Sequence, residues 1–191
     1  MKKSKRSRVL KYAVGATLLT LFVIMMAYMY INKIVVGSNA GTLPDGYTLV
    51  EANGHTFSTK INGDDQGIPV ILLHGFPESS VMWNRLTSDL NKIGYYTVAP
   101  DQRGYSFKAR PEEIAEYQIS HLASDVIAIA DSLGINKFHL IGHDWGSGVG
   151  WQIASDYPER LLSFTSLSVP HLEAFSRAYR EDNLQYTASD Y

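Results

Sequence analysis

A carboxylate stands between two glycines in Gly142-His143-Asp144-Trp145-Gly146, after a short apolar run and before a segment with helical spacing. Glycines on both sides of one reactive residue permit the tight strand-to-helix turn called a nucleophile elbow. Serine is the usual nucleophile at such a turn and needs a base to activate it. An aspartate is already ionised at neutral pH, because its ordinary pKa is about 4. It can attack an sp3 carbon directly and form an alkyl ester with the protein. Water must then attack the carbonyl of that ester, a step that requires a general base and a place for the oxyanion. Epoxide opening and carbon–halogen cleavage fit this scheme better than peptide or simple ester hydrolysis. The plainer alternative is that Asp144 only caps the helix that follows it, a common role for aspartate.

The segment His74-Gly75-Phe76-Pro77 follows another apolar run. Where an elbow supplies the nucleophile, one oxyanion donor is the backbone N–H of the residue after it, and the other comes from the loop after the third strand. Those positions are Trp145 and Phe76, and Pro77 suggests a fixed turn with a cis peptide. In Asp101-Gln102-Arg103-Gly104-Tyr105-Ser106, Asp101 and Arg103 are expected to pin a loop by hydrogen bonds rather than to take part in catalysis. None of the histidines at 55, 74, 121, 139, 143 and 171 is placed to act as the base, since His143 diverges from its neighbour on the turn and His74 belongs to the oxyanion loop. No close spacing of histidines and carboxylates resembles a metal-ligand set, and neither a metal nor a cofactor is expected. With no cysteine in the chain, disulfides and thiolate chemistry are excluded.

The elements that must position these residues alternate along the chain. Residues 47–51 and 55–61 read as a hairpin around Asn53-Gly54, and 70–73 as a central strand. Helices are expected at 79–93, 117–133 and 147–156, and strands at 95–99, 137–141 and 161–169, with Gly94, Pro100, Gly134 and Pro158 as punctuation. A hairpin followed by βαβαβαβ implies a mostly parallel sheet with helices on both faces. Ligands then sit at the carboxyl ends of the strands, which points to the loops after Leu73, Ala99 and Ile141.

Charge is distributed unevenly. Seven of the 17 basic residues (Lys2, Lys3, Lys5, Arg6, Arg8, Lys11 and Lys33) precede the first acid, Asp45, and the rest of the chain carries 10 basic and 19 acidic residues, a balance of −9. An acidic body lacks the basic face that nucleic-acid binding needs. Residues 12–31 hold no charge, a length that matches the ~20 residues a helix needs to cross the hydrocarbon core of a bilayer. The basic cluster in front should stay in the cytoplasm, with Tyr12, Tyr28 and Tyr30 at the interfaces. The expectation is a cytoplasmic tail (1–11), a transmembrane signal-anchor in the lipid bilayer (12–31), a linker (32–46) and an extracytoplasmic body. The rival is secretion after cleavage, for which Ser38-Asn39-Ala40 offers only a weak site, rather far from the apolar run.

Taken together, the chain resembles the epoxide hydrolase branch of the α/β-hydrolase superfamily, from about Gly46 to Tyr191. The matching pieces are His74-Gly75-Phe76-Pro77-Glu78, Trp83, Asp101 to Gly104, Gly142 to Gly146, Pro158-Glu159-Arg160 and Ser168-Val169-Pro170-His171. Haloalkane dehalogenases share the Asp-Trp pair but typically carry Asn at the position of Phe76. Fluoroacetate dehalogenases have Arg at the position of Trp145. Ser106 and Lys108 depart from the pattern of many relatives, which have Gly and Ser there. The resemblance implies an α/β-hydrolase core over 47–170 and the start of a cap region over 171–191. It also implies Asp144 as nucleophile, Phe76 and Trp145 as oxyanion donors, and a small-molecule substrate, either an epoxide or a haloorganic compound. The triad acid, the histidine and the cap tyrosines are expected after Tyr191, so the chain by itself is expected not to turn over. A dehalogenase and a membrane-tethered, non-catalytic binding protein are the alternatives.

Overall fold

The computed structural model describes Leu43 and residues 46–188. The proposed anchor and most of the linker lie outside these residues. Among the described residues no helix is long and apolar enough to cross a membrane.

The strands are β1 (Tyr47–Ala52), β2 (His55–Asn62), β3 (Ile68–Leu73), β4 (Tyr95–Pro100), β5 (Phe138–His143) and β6 (Leu161–Leu167). The helices are α1 (Asn84–Lys92), α2 (Ile119–Ser132), α3 (Trp145–Asp156), α4 (Leu172–Glu181) and α5 (Asn183–Ala188). One sheet runs in the order β1-β2-β4-β3-β5-β6. The leading hairpin joins it antiparallel to β4, and β4, β3, β5 and β6 are parallel.

Side chains alternate across the sheet with a period of two, and this divides the core. Ile71 and Leu73 of β3 join Phe57, Val98, Phe138 and Leu140 on the face covered by α2 and α3. Val70 and Leu72 join Ala99 and Trp83 on the opposite face, where Leu86 and Leu90 of α1 pack. Two covered faces explain why β3 is apolar without alternation. β6 is the outer strand of the described sheet, with Leu162 and Leu167 49% and 40% exposed.

Several boundaries differ from the sequence expectation, and local contacts account for them. The helix expected over 79–93 opens as a 3₁₀ turn, Ser80–Trp83. The Ser80 N–H is taken by Asp101 Oδ1 at 2.8 Å, and Trp83 is buried in the second core. The helix expected over 117–133 is split into a 3₁₀ turn, Ile114–Tyr117, and α2, with Gln118 extended between them. Arg103 Nη1 holds the Glu116 carbonyl there at 2.8 Å. α3 starts at Trp145, directly after Asp144, and β6 stops at Leu167 because Ser168 takes a positive φ of 66°.

Candidate active site

Asp144 ends β5's path and precedes α3 with φ 51° and ψ −120°. A non-glycine residue in that region costs on the order of 1–3 kcal/mol and persists only where its surroundings hold it. They do so here through Ser147, whose hydroxyl donates to the Gly142 carbonyl at 2.6 Å and accepts the Leu167 N–H at 3.1 Å. The Asp144 N–H donates to the Leu167 carbonyl at 3.3 Å. Gly146 passes so close to β3 that a Cβ would strike the Leu73 carbonyl. The side chain of Asp144 makes no capping bond to the N–H groups of α3 beyond Trp145.

The loop after β3 meets this turn directly. The Phe76 N–H donates to Asp144 Oδ1 at 2.9 Å, and the Phe76–Pro77 peptide is cis. Hydrogen bonding by the Phe76 N–H holds the Asp144 carboxyl below its ordinary pKa; partial burial opposes this, and the Trp145 N–H adds to it. All three residues singled out in the sequence therefore meet at one carboxylate. Gly75 lies so near that a Cβ there would collide with the Cβ of Asp144.

His74 and the Asp101–Ser106 loop support this arrangement from behind. His74 is fully buried. Its Nε2 accepts the Gln102 N–H at 3.1 Å, which leaves Nδ1 protonated to donate to the Gly75 carbonyl at 3.0 Å. The Gln102 amide returns to the His74 carbonyl at 2.6 Å, and the Tyr105 ring packs edge-on at 4.5 Å. Burial pushes the His74 pKa down, so the ring stays neutral with both nitrogens engaged. Asp101 accepts from Ser80, and Arg103 is buried against Asp125 with contacts of 2.7 and 2.8 Å. This is the loop-pinning role expected of both.

The other histidines work elsewhere. His139 meets Ser163, His171 stands at the start of α4, and His121 lies 3.7 Å from Glu116. His143 Nδ1 is buried without a hydrogen-bond partner. Among the described residues no three His, Asp or Glu side chains gather as a metal ion would require.

A cavity of about 240 Å³ opens beside the elbow, with Phe76, Tyr105, Tyr117, Leu122, Trp145 and Val149 among its walls. Tyr105 sits in the loop after β4, where sheets of this kind hold ligands, so its position was open to inference from sequence. Tyr117, Leu122 and Val149 reach the cavity only through tertiary packing and carry no local signal.

Comparison with known proteins bears on the fold. The profile of the alpha/beta hydrolase fold family matches residues 68–189. The AB hydrolase superfamily protein YfhM of Bacillus subtilis is 39% identical over 123 residues, covering 64% of this chain and 43% of that protein. Epoxide hydrolase A of Mycobacterium tuberculosis is 38% identical over 125 residues, covering 65% of this chain and 38% of the relative. A crystal structure of an epoxide hydrolase from Vigna radiata superimposes with a TM-score of 0.62 at 41% identity, covering 65% of this chain and 40% of that one. The chain thus spans about two fifths of the length of the relatives it matches.

Proposed function

This chain belongs to the α/β hydrolase fold family, and from that premise we propose that it forms the nucleophile-bearing part of an epoxide hydrolase. One carboxylate oxygen of Asp144 attacks a carbon of the oxirane. A new C–O bond forms, the ring C–O bond breaks, and its electron pair stays on the ring oxygen, which takes up a proton. The Phe76 N–H at Asp144 Oδ1 carries this reading. The oxygen held there becomes the carbonyl oxygen of the ester, so the donor is already in place for the oxyanion of the second step. That second step needs a base that no histidine in the described residues supplies.

A haloacid is the less favoured substrate. Among the described residues Arg103 is the one cationic side chain in the cavity wall, and its guanidinium is spent on Asp125 and Glu116. A substrate carboxylate would find no counter-ion there. We also propose that residues 12–31 anchor the body outside the cytoplasm, on the strength of their length and the basic flank.

The test is the intact mass of the chain after incubation with an epoxide. Addition raises the mass by that of the whole epoxide, because nothing leaves. A halocarbon would instead add less than its own mass and release halide. Asp144→Asn abolishes either increment, and an increment that survives it removes Asp144 from the chemistry.

A further inference from the structure

We infer that a second, polar cavity between α1 and β2 binds a phosphate group, held by Lys60, Asn84 and Ser88. The inference goes beyond the chemistry at Asp144, because this cavity and the one beside the elbow share no wall residue.

The cavity measures about 540 Å³. α1 contributes Asn84, Thr87, Ser88, Asn91 and Lys92 to its wall, positions i, i+3, i+4, i+7 and i+8 along one side of a helix. Leu86 and Leu90 lie on the other side of α1 and pack into the core. β2 contributes Lys60 and Asn62, which its period of two puts on one face. Among the described residues no carboxylate and no apolar side chain belongs to this wall. The chain after Lys33 carries a balance of −9, so two lysines without an acid set this wall apart from the rest of the surface.

Lys60 is held in place without being neutralised. Its Nζ donates to Asn84 Oδ1 at 2.6 Å and stands 5.3 Å over the Tyr47 ring. That ring is fixed in turn by its hydroxyl, 2.8 Å from Ser80 Oγ. No ion pair of the described residues includes Lys60. An ammonium has three N–H donors, and Asn84 takes one of them. Because Asn84 Oδ1 accepts from Lys60, the NH2 of the same amide is left to donate. Ser88 stands next to it, one turn along α1. Asn91 braces the site: its Nδ2 lies 3.1 Å from the Asn62 carbonyl, 2.9 Å from the Tyr95 carbonyl and 3.1 Å from Thr97 Oγ1. These contacts tie α1 to β2 and β4. Lys92 is paired with Asp89 at 2.7 Å, but both side chains are exposed, and such a pair is worth little. It adds positive charge at the far end of the wall, about 12 Å along the helix from Asn84.

A phosphate group fits these donors. It offers several acceptor oxygens and carries about −1.5 to −2 charges at neutral pH. Lysine binds it as a point charge, without the planar fork through which arginine grips a carboxylate. With no apolar side chain in the wall, the cavity gives an acyl chain or a base nothing to pack on, and the phosphate itself must supply the affinity. Two sources carry that group: a soluble phosphate compound and the headgroup of an anionic lipid.

The experiment titrates inorganic phosphate into the full chain in maltoside micelles and follows the Asn62 side-chain and Ser88 backbone signals by NMR. Sodium chloride of equal ionic strength is the reference, which removes simple screening. Saturable shifts are expected with phosphate and not with chloride. Asn84→Asp sets a carboxylate against Lys60 and is expected to weaken the response at least tenfold. Lys60→Gln removes the cation and tests the same pair from the other side, and thermal melts show that each variant is folded. Lys137→Gln, outside the cavity, should leave the response unchanged. A second arm places the chain in phosphatidylcholine discs with and without phosphatidylglycerol, free of soluble phosphate. The same shifts on adding phosphatidylglycerol assign the group to a lipid headgroup, and shifts with inorganic phosphate alone assign it to a soluble compound. The site is overturned if neither arm gives a saturable shift, if chloride gives the same one, or if both folded variants keep it.

Discussion

The backbone N–H of Phe76 and the Oδ1 of Asp144 lie 2.9 Å apart although 68 residues separate them in sequence. A peptide N–H has no pKa in the working range, so it supports the carboxylate at every pH the protein meets. Labelling of Asp144 by an epoxide should therefore stay constant as pH falls from 8 to the ordinary carboxylate range near ~4. It should decline only below that range, as the depressed pKa is approached. A rate profile with a midpoint above pH 5 would show that the carboxyl is not held as described.

Gly75→Ala should separate geometry from folding. The added methyl meets the Asp144 Cβ and must push the carboxylate away from the Phe76 N–H. A displacement of ~1 Å in a reacting group can cost about a hundredfold in rate, and a loss of that order in labelling is expected. A thermal melt taken alongside shows whether the variant remains folded.

His74 gives the fold a defined pH response. Its folded pKa is lowered, so the unfolded chain binds the proton more readily. Stability is then complete above the unfolded value of about 6.5 and is lost as pH falls from there toward the folded pKa. Thermal melts between pH 8 and 5 should record the decline. In His74→Gln this part of the slope should vanish, with an overall loss of about 1–3 kcal/mol from the polar groups left unpaired.

Removing one partner of the buried Arg103–Asp125 pair should be costly, because both side chains are 4% exposed. Arg103→Met leaves a buried carboxylate and is expected to lose about 3–5 kcal/mol. Adding Asp125→Leu should restore much of it. Denaturant titrations of the two single variants and the double variant measure the coupling; a double variant as unstable as the sum of the singles would disprove it.

The proposed membrane anchor and its orientation are tested at the other end of the chain. Replacing Lys2, Lys3, Lys5, Arg6, Arg8 and Lys11 with neutral residues should move a reporter fused after the domain toward the cytoplasm. A reporter that stays outside regardless shows that these charges do not set the topology.

The parts legible in the sequence were those with local signatures. Asp144 stood out because two glycines bracket it after a strand, and Phe76 because its loop follows the right strand. The cavity beside the elbow was not legible. Leu122 and Val149 look like any apolar positions on a helix, and only the packing of α2 beside α3 turns them toward the elbow. The break at Gln118 was hidden for a similar reason. Arg103 reaches across to Glu116 at 2.9 Å and to Asp125 at 2.7 Å, and no periodicity announces partners 13 and 22 residues away.

The pairing of β3 with β5 sets Leu73 beside Gly142, and both reactive loops depart from that point. The approach of the Phe76 loop to the Asp144 turn is thereby set by the ladder, about 4.8 Å between neighbouring strands. The ladder works as a ruler made of main chain. A slip of one residue would carry the Phe76 N–H roughly 3.3 Å along the strand and turn alternate side chains to the wrong face. The residues at the rim can therefore change to suit a different substrate without moving the marks on that ruler.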